Sequence, residues 1–283
     1  MKILESNWDE FNSYPSVNFY YNHFKEEPHV VIFEGYECLY PLIKNKIIVE
    51  RPKEIHKLSC TGRDAIIKNK ILNLVSEEDI ITNRRCIDEI HPDRHLYKFL
   101  FSSYTKYMIE NKKHLFESPQ KNIDETKKIL NRNKPIVCIN GRNLKKLPGY
   151  NNNLEDLIKI LIQNKIFVIN CTFDKPNFLF DPEYYWEPGE LIESYNINCS
   201  LFSLCDYVIS IGNAGSISTH LMTNSNVIIL GPGGWVDDIN MGYNSESMIT
   251  ARQKYLPYKT IFIKNYKNNI TEGNKQILKT ILG

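Results

Sequence analysis

A short turn of small and hydroxyl-bearing residues, Gly212-Asn213-Ala214-Gly215-Ser216, follows an apolar stretch and leads into a segment with helical spacing. Small residues let the backbone approach a ligand closely, and the free N–H groups at a helix start favour an anion. The hydroxyls of Ser216 and Ser218 add further donors. This spacing indicates an anion site, although a Gly/Asn turn capped by a serine, with no ligand, fits the same residues equally well.

Basic residues follow a second apolar stretch, earlier in the chain. Arg142 comes directly after Ile139-Asn140-Gly141, and Lys145 and Lys146 lie a few residues further on. A guanidinium binds phosphate through paired hydrogen bonds, whereas an ammonium acts as a point charge. Taken singly, each of these side chains is more often a solvated loop charge. A third glycine-rich turn, Leu230-Gly231-Pro232-Gly233-Gly234, follows another apolar stretch.

The elements that must position these residues alternate regularly from Pro135 onward. The apolar runs PIVCIN, IFVINC, YVISIG, NVIILG and TIFIKN predict strands. Helical spacing over residues 153–164, 200–205 and 217–223, and again at the C-terminus, predicts the helices between and after them. Such alternation implies right-handed crossovers and a parallel sheet, in which the carboxyl ends of the strands share one edge. We therefore predict a Rossmann-like α/β domain, from roughly Lys134 to Gly283, that binds a phosphate-bearing small molecule.

The first half of the chain is less regular. HVVIFEG (29–35) and KIIVE (46–50) predict strands, residues 62–75 and 95–115 predict helices, and residues 1–28 show no clear period. The charged segment 117–133, which contains one helical pattern, is the best linker candidate. With 283 residues, the chain is expected to form two lobes, residues 1–125 and residues 126–283.

Composition excludes several classes of function. The formal net charge of +2 gives no basic field for non-specific binding of nucleic acid. No stretch of about 18 apolar residues predicts a membrane span, and the N-terminus lacks a secretion signal, so we expect a cytoplasmic protein that is at most peripheral to a membrane. Seven scattered cysteines lack metal or redox spacing and are expected to be reduced and structural.

In the second half, the pattern resembles the donor-binding lobe of glycosyltransferase-B fold enzymes, most closely the lipopolysaccharide heptosyltransferases. The residues that carry the resemblance cover about half of the chain: Lys145-Lys146-Leu147-Pro148, Asp206 to Ile209, Gly212 to Ser216, His220, and Leu230-Gly231-Pro232. The family's acidic residue before its Ser-Gly pair is replaced here by Asn213-Ala214. Its N-terminal Gly-Asp signature is not found near Met1.

The resemblance implies two Rossmann-like lobes and a glycosyltransferase that acts in polysaccharide biosynthesis. Such an enzyme moves a hexosyl or heptosyl group from a nucleotide sugar to a glycan or lipid-linked acceptor. The donor site would comprise a set of basic, small and hydroxyl residues: Arg142, Lys145, Lys146, Asn213, Ala214, Gly215, Ser216, Ser218 and His220. No Asp-x-Asp motif is present, and Asp237-Asp238 is more typical of a solvated helix start, so neither a metal nor a cofactor is expected. His220 is equally well explained as a half-buried structural histidine.

Transfer also needs a base for the acceptor hydroxyl, and a carboxylate at a strand end suits that role. Glu34, at the end of the HVVIFE run, is the first candidate, Glu37 the second and Asp93 the third. A loop carboxylate with a local hydrogen bond explains Glu34 as well. The aromatic loop 173–190 would either stack on a base or sugar ring or pack on its own lobe. Two alternatives stay open: a polysaccharide pyruvyl transferase, and a non-catalytic nucleotide- or glycan-binding subunit of the same fold.

Overall fold

Two parallel β-sheets organise the chain. The computed structural model describes residues 1–4, 29–37, 43–53, 55, 58, 60–81, 120–130, 134–140, 153–172, 176–189, 191, 195–211, 224–231, 253 and 256–283. Four strands from the first part of the chain form one sheet, and six strands from the second part form the other. Every strand pairing described in either sheet is parallel.

The first sheet has the strand order β3-β2-β1-β4. Its strands are β1 (Ile3–Leu4), β2 (His29–Phe33), β3 (Asn45–Val49) and β4 (Ile80–Ile81). The central strand β2 is a run of β-branched and aromatic residues, and Val30 to Phe33 are all buried. Helix α1 (Cys60–Leu72) packs against β2 through its apolar side, where Ile67 and Ile71 are buried.

The second sheet has the order β10-β9-β8-β5-β6-β7. Its strands are β5 (Ile136–Asn140), β6 (Phe167–Asn170), β7 (Tyr185–Trp186), β8 (Tyr207–Ile211), β9 (Asn226–Leu230) and β10 (Thr260–Ile263). If these six strands are numbered by their order in the chain, the sheet reads 3-2-1-4-5-6 from β7 across to β10. This is the order of a doubly wound dinucleotide-binding sheet.

Helices cover both faces of the second sheet. They are α2 (Gln120–Ile129), α3 (Asn153–Gln163), α4 (Tyr195–Leu204) and α5 (Ile270–Leu282). Side chains alternate across β5, so Val137 and Ile139 join the core under α3 and α5, whereas Ile136 and Cys138 join the core under α4. Each fully buried aliphatic side chain of these cores contributes about 1.5–3 kcal/mol.

The predicted fold class is confirmed: the protein is an α/β protein with two Rossmann-like sheets, and the sheet of the second half is parallel. The structure adds three strands of two residues that the sequence analysis did not predict, β1, β4 and β7. The helix predicted around residues 200–205 begins earlier, at Tyr195. The helices predicted over residues 95–115 and 217–223 lie outside the described residues.

The division of the chain at residues 125 and 126 stays a prediction. Helix α2 spans that point and packs against α4 of the second sheet. The last strand of the first sheet, β4, ends at Ile81, and the first strand of the second sheet, β5, begins at Ile136.

Candidate functional site

The topological switch point of the second sheet lies between β5 and β8. These neighbouring strands are connected to opposite halves of the sheet, which leaves a crevice outside their carboxyl ends where ligands bind in folds of this kind. In the register of the two strands, Asn140 lies opposite Ser210, and Ser210 is fully buried. Adjacent strands are about 4.8 Å apart, so the loops that follow β5 and β8 start from neighbouring points.

A reciprocal pair of hydrogen bonds fixes β5 and β8 at their opposite, amino ends. The Ile136 N–H donates to Asp206 Oδ2 over 2.8 Å, and the Asp206 N–H donates to the Ile136 carbonyl over 2.9 Å. Asp206 was singled out in the sequence only as part of the family resemblance. Its role in the structure is to set the register that brings the two carboxyl ends level.

All of the predicted donor-binding residues follow β5 or β8 in the sequence. Arg142, Lys145 and Lys146 follow β5 by two to six positions, and the turn 212–216 with Ser218 and His220 follows β8. All of these residues lie outside the described part of the chain, so their role as phosphate ligands stays a prediction. The structure does describe the strands that lead into both loops, and these strands are neighbours.

The glycine turn after β9 begins at Gly231, the one residue of that turn beyond the strand that the structure describes. The Gly231 N–H donates to the Ile263 carbonyl, and the Gly231 carbonyl accepts from the Tyr266 N–H, both over 2.9 Å. Gly231 is buried. The start of this turn is therefore tied to the end of β10, on the side of β9 away from the switch point.

A chain of hydrogen bonds joins the carboxyl ends of β6 and β7. Thr172 donates to Asn170 Oδ1 from both its N–H and its hydroxyl, over 3.1 and 2.7 Å. Asn170 Nδ2 donates to the Tyr185 hydroxyl over 3.0 Å, and that hydroxyl donates to Glu187 Oε1. Asn170 and Thr172 are buried, whereas Tyr185 and Glu187 are half-buried. We call these four residues the β6–β7 polar chain.

The tyrosine of this chain stays protonated. Burial raises the pKa of Tyr185 far above its ordinary value of 10.0, and the hydrogen bond to Glu187 raises this pKa further. Tyr185 is thus a donor to Glu187 throughout the physiological pH range, which holds one carboxylate oxygen in place. The sequence analysis assigned Tyr185 only to an aromatic loop. The local signal that could have found the chain is the alternation of Tyr185 and Glu187 on either side of the half-buried Trp186.

Most aromatic side chains described in the loop between β6 and β7 pack on their own lobe. Phe180 and Tyr185 lie 4.8 Å apart between ring centroids and pack against the core under α3 and α5, and Trp186 packs against the opposite core. Lys134 Nζ lies 3.5 Å from the Tyr184 ring centroid. Phe178 is about half exposed, with Lys159 over its ring. The aromatic side chains of this loop could either stack on a ligand or pack on their own lobe, and packing on the lobe accounts for four of the rings.

Two of the three candidate bases, Glu34 and Glu37, lie at the carboxyl end of β2 in the first sheet. The Glu34 N–H donates to the Val49 carbonyl over 2.8 Å, which continues the pairing of β2 with β3, while its side chain is exposed. Glu37 is half-buried and its Oε2 accepts a hydrogen bond from Asn196 Nδ2 over 2.8 Å. Asp93 lies outside the described residues. Which carboxylate acts as a base stays a prediction.

Arg51 is a cation at the same edge, and it was not among the candidate site residues predicted from the sequence. It follows β3 directly, next to Pro52. Its Nη1 is buried, with no hydrogen-bond partner in the described part of the protein. A buried guanidinium nitrogen without a partner is costly, so this atom is suited to bind an anionic or hydroxyl oxygen of a ligand.

The carboxyl edges of the two sheets face each other. Helix α4 ends two residues before β8 begins and runs about 15 Å back along the sheet, so its N-terminus lies at the carboxyl edge of the second sheet. At that N-terminus the Asn196 N–H donates to the Gly35 carbonyl over 2.9 Å, next to the bond with Glu37. Gly35 and Glu37 follow β2, at the carboxyl edge of the first sheet. The start of α4 and the turn after β2 are therefore in direct contact at the carboxyl edges of the two sheets.

Within the residues that the structure describes, no group of three or more His, Cys, Asp or Glu side chains is arranged to hold a metal ion. Among the same residues, no helix is long and apolar enough to cross a membrane. Asp237 and Asp238 lie outside them.

Comparison with known proteins gave structural neighbours only. No family model matches the chain, and no curated protein matches it significantly. Similar solved structures include the fucosyltransferase NodZ from Bradyrhizobium, at 13% identity over 78% of this chain and 92% of that chain, with a TM-score of 0.37. They also include E. coli heptosyltransferase WaaC with ADP, at 12% identity over 99% of both chains, with a TM-score of 0.43.

A third similar structure is the wall teichoic acid polymerase TagF, at 11% identity over 99% of this chain and 82% of that chain, with a TM-score of 0.36. The three neighbours named here are thus a fucosyltransferase, a heptosyltransferase and a teichoic acid polymerase. Since each of these TM-scores lies below 0.5, the fold is established by the strand order and register of the two sheets instead.

Proposed function

We propose that the protein is a metal-independent glycosyltransferase that moves a sugar from a nucleotide-sugar donor to a glycan or lipid-linked acceptor. The observation that carries the proposal is the register of β5 and β8. In this register, the segment that contains Arg142 and the glycine-rich turn 212–216 begin at adjacent points beside the switch-point crevice. Such a crevice is where dinucleotide-type ligands bind in sheets of this order.

The diphosphate of the donor would lie between these two loops. The turn 212–216 offers backbone N–H groups at the start of a predicted helix, and Arg142, Lys145 and Lys146 offer positive charge. During transfer, the bond between the anomeric carbon and the diphosphate oxygen breaks, and negative charge grows on that oxygen. Fixed cations and dipoles stabilise this charge without a metal ion. No cofactor is needed besides the donor itself.

The nucleoside of the donor would extend along the ends of β6 and β7. There the β6–β7 polar chain holds the Glu187 carboxylate in place, and the hydrogen bond from Tyr185 leaves Glu187 further acceptor capacity. Ribose hydroxyls and base N–H groups are donors that match such a carboxylate. This placement gives the β6–β7 polar chain a role in binding the donor.

The acceptor would bind at the facing edge of the first sheet. We assign the role of base to Glu34, because its carboxylate is exposed at the carboxyl end of β2. The acceptor hydroxyl passes its proton to Glu34 while its oxygen forms the new bond to the anomeric carbon. The buried Nη1 of Arg51 would bind an oxygen of the acceptor at the same edge.

Isothermal titration calorimetry tests the proposal. The chain is titrated with GDP, ADP, UDP and CDP, and separately with phosphoenolpyruvate, which represents the pyruvyl transferase alternative. We expect at least one nucleoside diphosphate to bind and phosphoenolpyruvate not to compete with it. Arg142→Ala should weaken that binding by roughly ten- to a hundredfold, because it removes a charge-assisted contact of about 1.5–3 kcal/mol.

Two controls accompany this experiment. Lys128→Ala removes an exposed cation from α2 and should leave nucleotide affinity unchanged. Replacing Gly215 by Leu should block backbone approach and weaken binding, while the melting temperature stays near that of the wild type. If no nucleoside diphosphate binds, or if both site variants bind like the wild type, the donor site is not at this edge of the sheet.

A further inference from the structure

The contact between Glu37 and Asn196 is the feature of the structure that the proposed reaction does not use. It joins residues 159 positions apart, one next to each of the two sheets. Asn196 is buried, with 7% of its surface exposed, and Glu37 is half-buried. A charge-assisted hydrogen bond shielded in this way is stronger than one between neutral or fully exposed groups.

Asn196 is held on three sides. Its N–H donates to the Gly35 carbonyl, its Nδ2 donates to Glu37, and its carbonyl accepts from the buried Ser200 hydroxyl over 3.0 Å. The N–H groups in the first turn of a helix have no partner within the helix. One such N–H group of α4, that of Asn196, thus finds its acceptor in the Gly35 carbonyl, at the edge of the first sheet.

The charge of Glu37 also suits this position. The N-terminus of a helix carries a partial positive charge, which attracts a carboxylate. Gly35 has a φ of 85°, a left-handed conformation that favours glycine, and it precedes the buried Tyr36. The turn after β2 is therefore shaped so that a carbonyl and a carboxylate both reach the start of α4.

From this geometry we infer that Glu37, Asn196 and the Gly35 carbonyl form a clamp that holds the two carboxyl edges facing each other. Glu37 is then a positioning residue, which presents the acceptor edge to the donor edge. Only the effect of the clamp on catalysis rests on the proposed function. The existence of the clamp is a property of the protein without any ligand.

Five variants isolate the clamp, and the fifth, Glu37→Ala, removes the acceptor altogether. Asn196→Asp places two carboxylates in contact and breaks it, while a carboxylate at that position remains favourable for the helix itself. Glu37→Gln keeps an acceptor oxygen for Asn196. The double variant Glu37→Gln/Asn196→Asp exchanges the amide and the carboxylate and restores one hydrogen bond. Glu50→Gln is the matched control, because Glu50 is an exposed carboxylate just after β3.

The first measurements need no substrate. Hydrogen exchange of the Asn196 amide reports its bond to Gly35, and small-angle X-ray scattering reports the separation of the lobes. We expect Asn196→Asp to speed this exchange by roughly tenfold or more and to enlarge the radius of gyration. The double variant should return both quantities toward the wild type, and Glu50→Gln should match the wild type. Glu37→Ala, which removes the acceptor from the other side, should behave like Asn196→Asp.

Unchanged exchange and radius in both Asn196→Asp and Glu37→Ala would overturn the clamp. So would a double variant as open as Asn196→Asp alone. These results are independent of the nucleotide titrations above, so a clamp without nucleotide binding would refute the proposed function and leave the clamp standing.

A second measurement separates positioning from catalysis. With the nucleoside diphosphate found by calorimetry, Asn196→Asp should bind with the affinity of the wild type, because the donor site lies within the second sheet. In transfer assays with the corresponding nucleotide sugar, the acceptor KM should rise roughly tenfold while the donor KM is unchanged. The double variant should recover transfer. If Glu37 were instead the base, both Glu37→Gln and the double variant would lose kcat, and the positioning role would be refuted.

Discussion

Glu37 Oε2 and Asn196 Nδ2 lie 2.8 Å apart and connect the carboxyl ends of two different parallel sheets. Asn196 also donates its N–H to Gly35, so two hydrogen bonds share this contact. Because ligands bind at the carboxyl edges of such sheets, the contact joins the two edges at which the proposed donor and acceptor sites lie.

The β6–β7 polar chain leads to a prediction about nucleotide affinity. Glu187→Ala removes a fixed carboxylate and should weaken nucleoside diphosphate binding roughly tenfold, whereas Tyr185→Phe, which only releases that carboxylate, should weaken it less. Calorimetry measures both affinities. Inorganic pyrophosphate serves as the control ligand, because it lacks the nucleoside and should bind each variant like the wild type. Equal losses for pyrophosphate and nucleotide would place Glu187 at the phosphates or show a general disturbance of the fold.

Metal independence is a prediction from the sequence. The sequence contains no Asp-x-Asp motif that would offer carboxylate oxygens to a divalent metal ion. Transfer should therefore keep its full rate after dialysis against EDTA, and added magnesium or manganese should not raise it. A loss of activity with EDTA that either ion restores would contradict the role given to Arg142 and the lysines.

Long apolar strands with clear boundaries could be predicted from the sequence. PIVCIN, YVISIG and NVIILG are runs of β-branched residues that end at Asn or Gly, and each forms a buried strand close to its predicted bounds. Burial on both faces of a parallel sheet gives such runs their uniform apolar character. Their order across the sheet is not encoded locally. It follows from the crossovers, and the structure supplies it.

Short strands and long-range polar contacts could not be predicted. β1, β4 and β7 contain two residues each, too few to show a period of two. Tyr185 was therefore assigned to a loop. The bond between Glu37 and Asn196 depends on how two lobes meet, and nothing within ten residues of either position signals it. Glu37 was selected as a strand-end carboxylate, which gave its place at the edge but not its partner.

Gly273 leads to a prediction about stability. A Cβ at this helical position would lie 2.4 Å from Tyr266 Cδ2 and 2.8 Å from its Cε2. The Tyr266 ring is buried and its hydroxyl donates to Asn274 Oδ1 over 2.6 Å, so the ring has little freedom to move. Gly273→Ala should therefore lower the free energy of unfolding by about 1–2 kcal/mol, since overpacking exceeds the gain in helix propensity.

Urea unfolding measures that change, with Gln276→Ala on the exposed side of α5 as the control. The control should unfold close to the wild type. A Gly273→Ala variant as stable as the wild type would mean that Tyr266 can shift at little cost.

The buried thiols predict how stability depends on alkaline pH. Cys138 Sγ lies 3.4 Å from Cys171 Sγ, and both side chains are buried in the core under α4. Burial raises the pKa of Cys138 well above its ordinary value of 9.0, and hydrogen bonds with Cys171 and Cys205 raise this pKa further. The folded protein therefore keeps this thiol protonated after the unfolded chain has begun to lose the proton.

The direction of the change in stability with pH follows from the number of protons that the folded and unfolded states bind. Where the unfolded state binds fewer protons than the folded state, stability falls as pH rises. The contribution of Cys138 is thus complete below pH 9.0 and is lost progressively as pH rises above that value toward the folded pKa. Urea midpoints measured from about pH 7 to about pH 10.5 should fall above pH 9 in the wild type, and they should fall less steeply in Cys138→Ala. Parallel slopes in the two proteins would show that Cys138 does not contribute to the alkaline loss of stability. A reducing agent is kept in every sample so that oxidation of the exposed thiols of the unfolded chain does not produce the same trend.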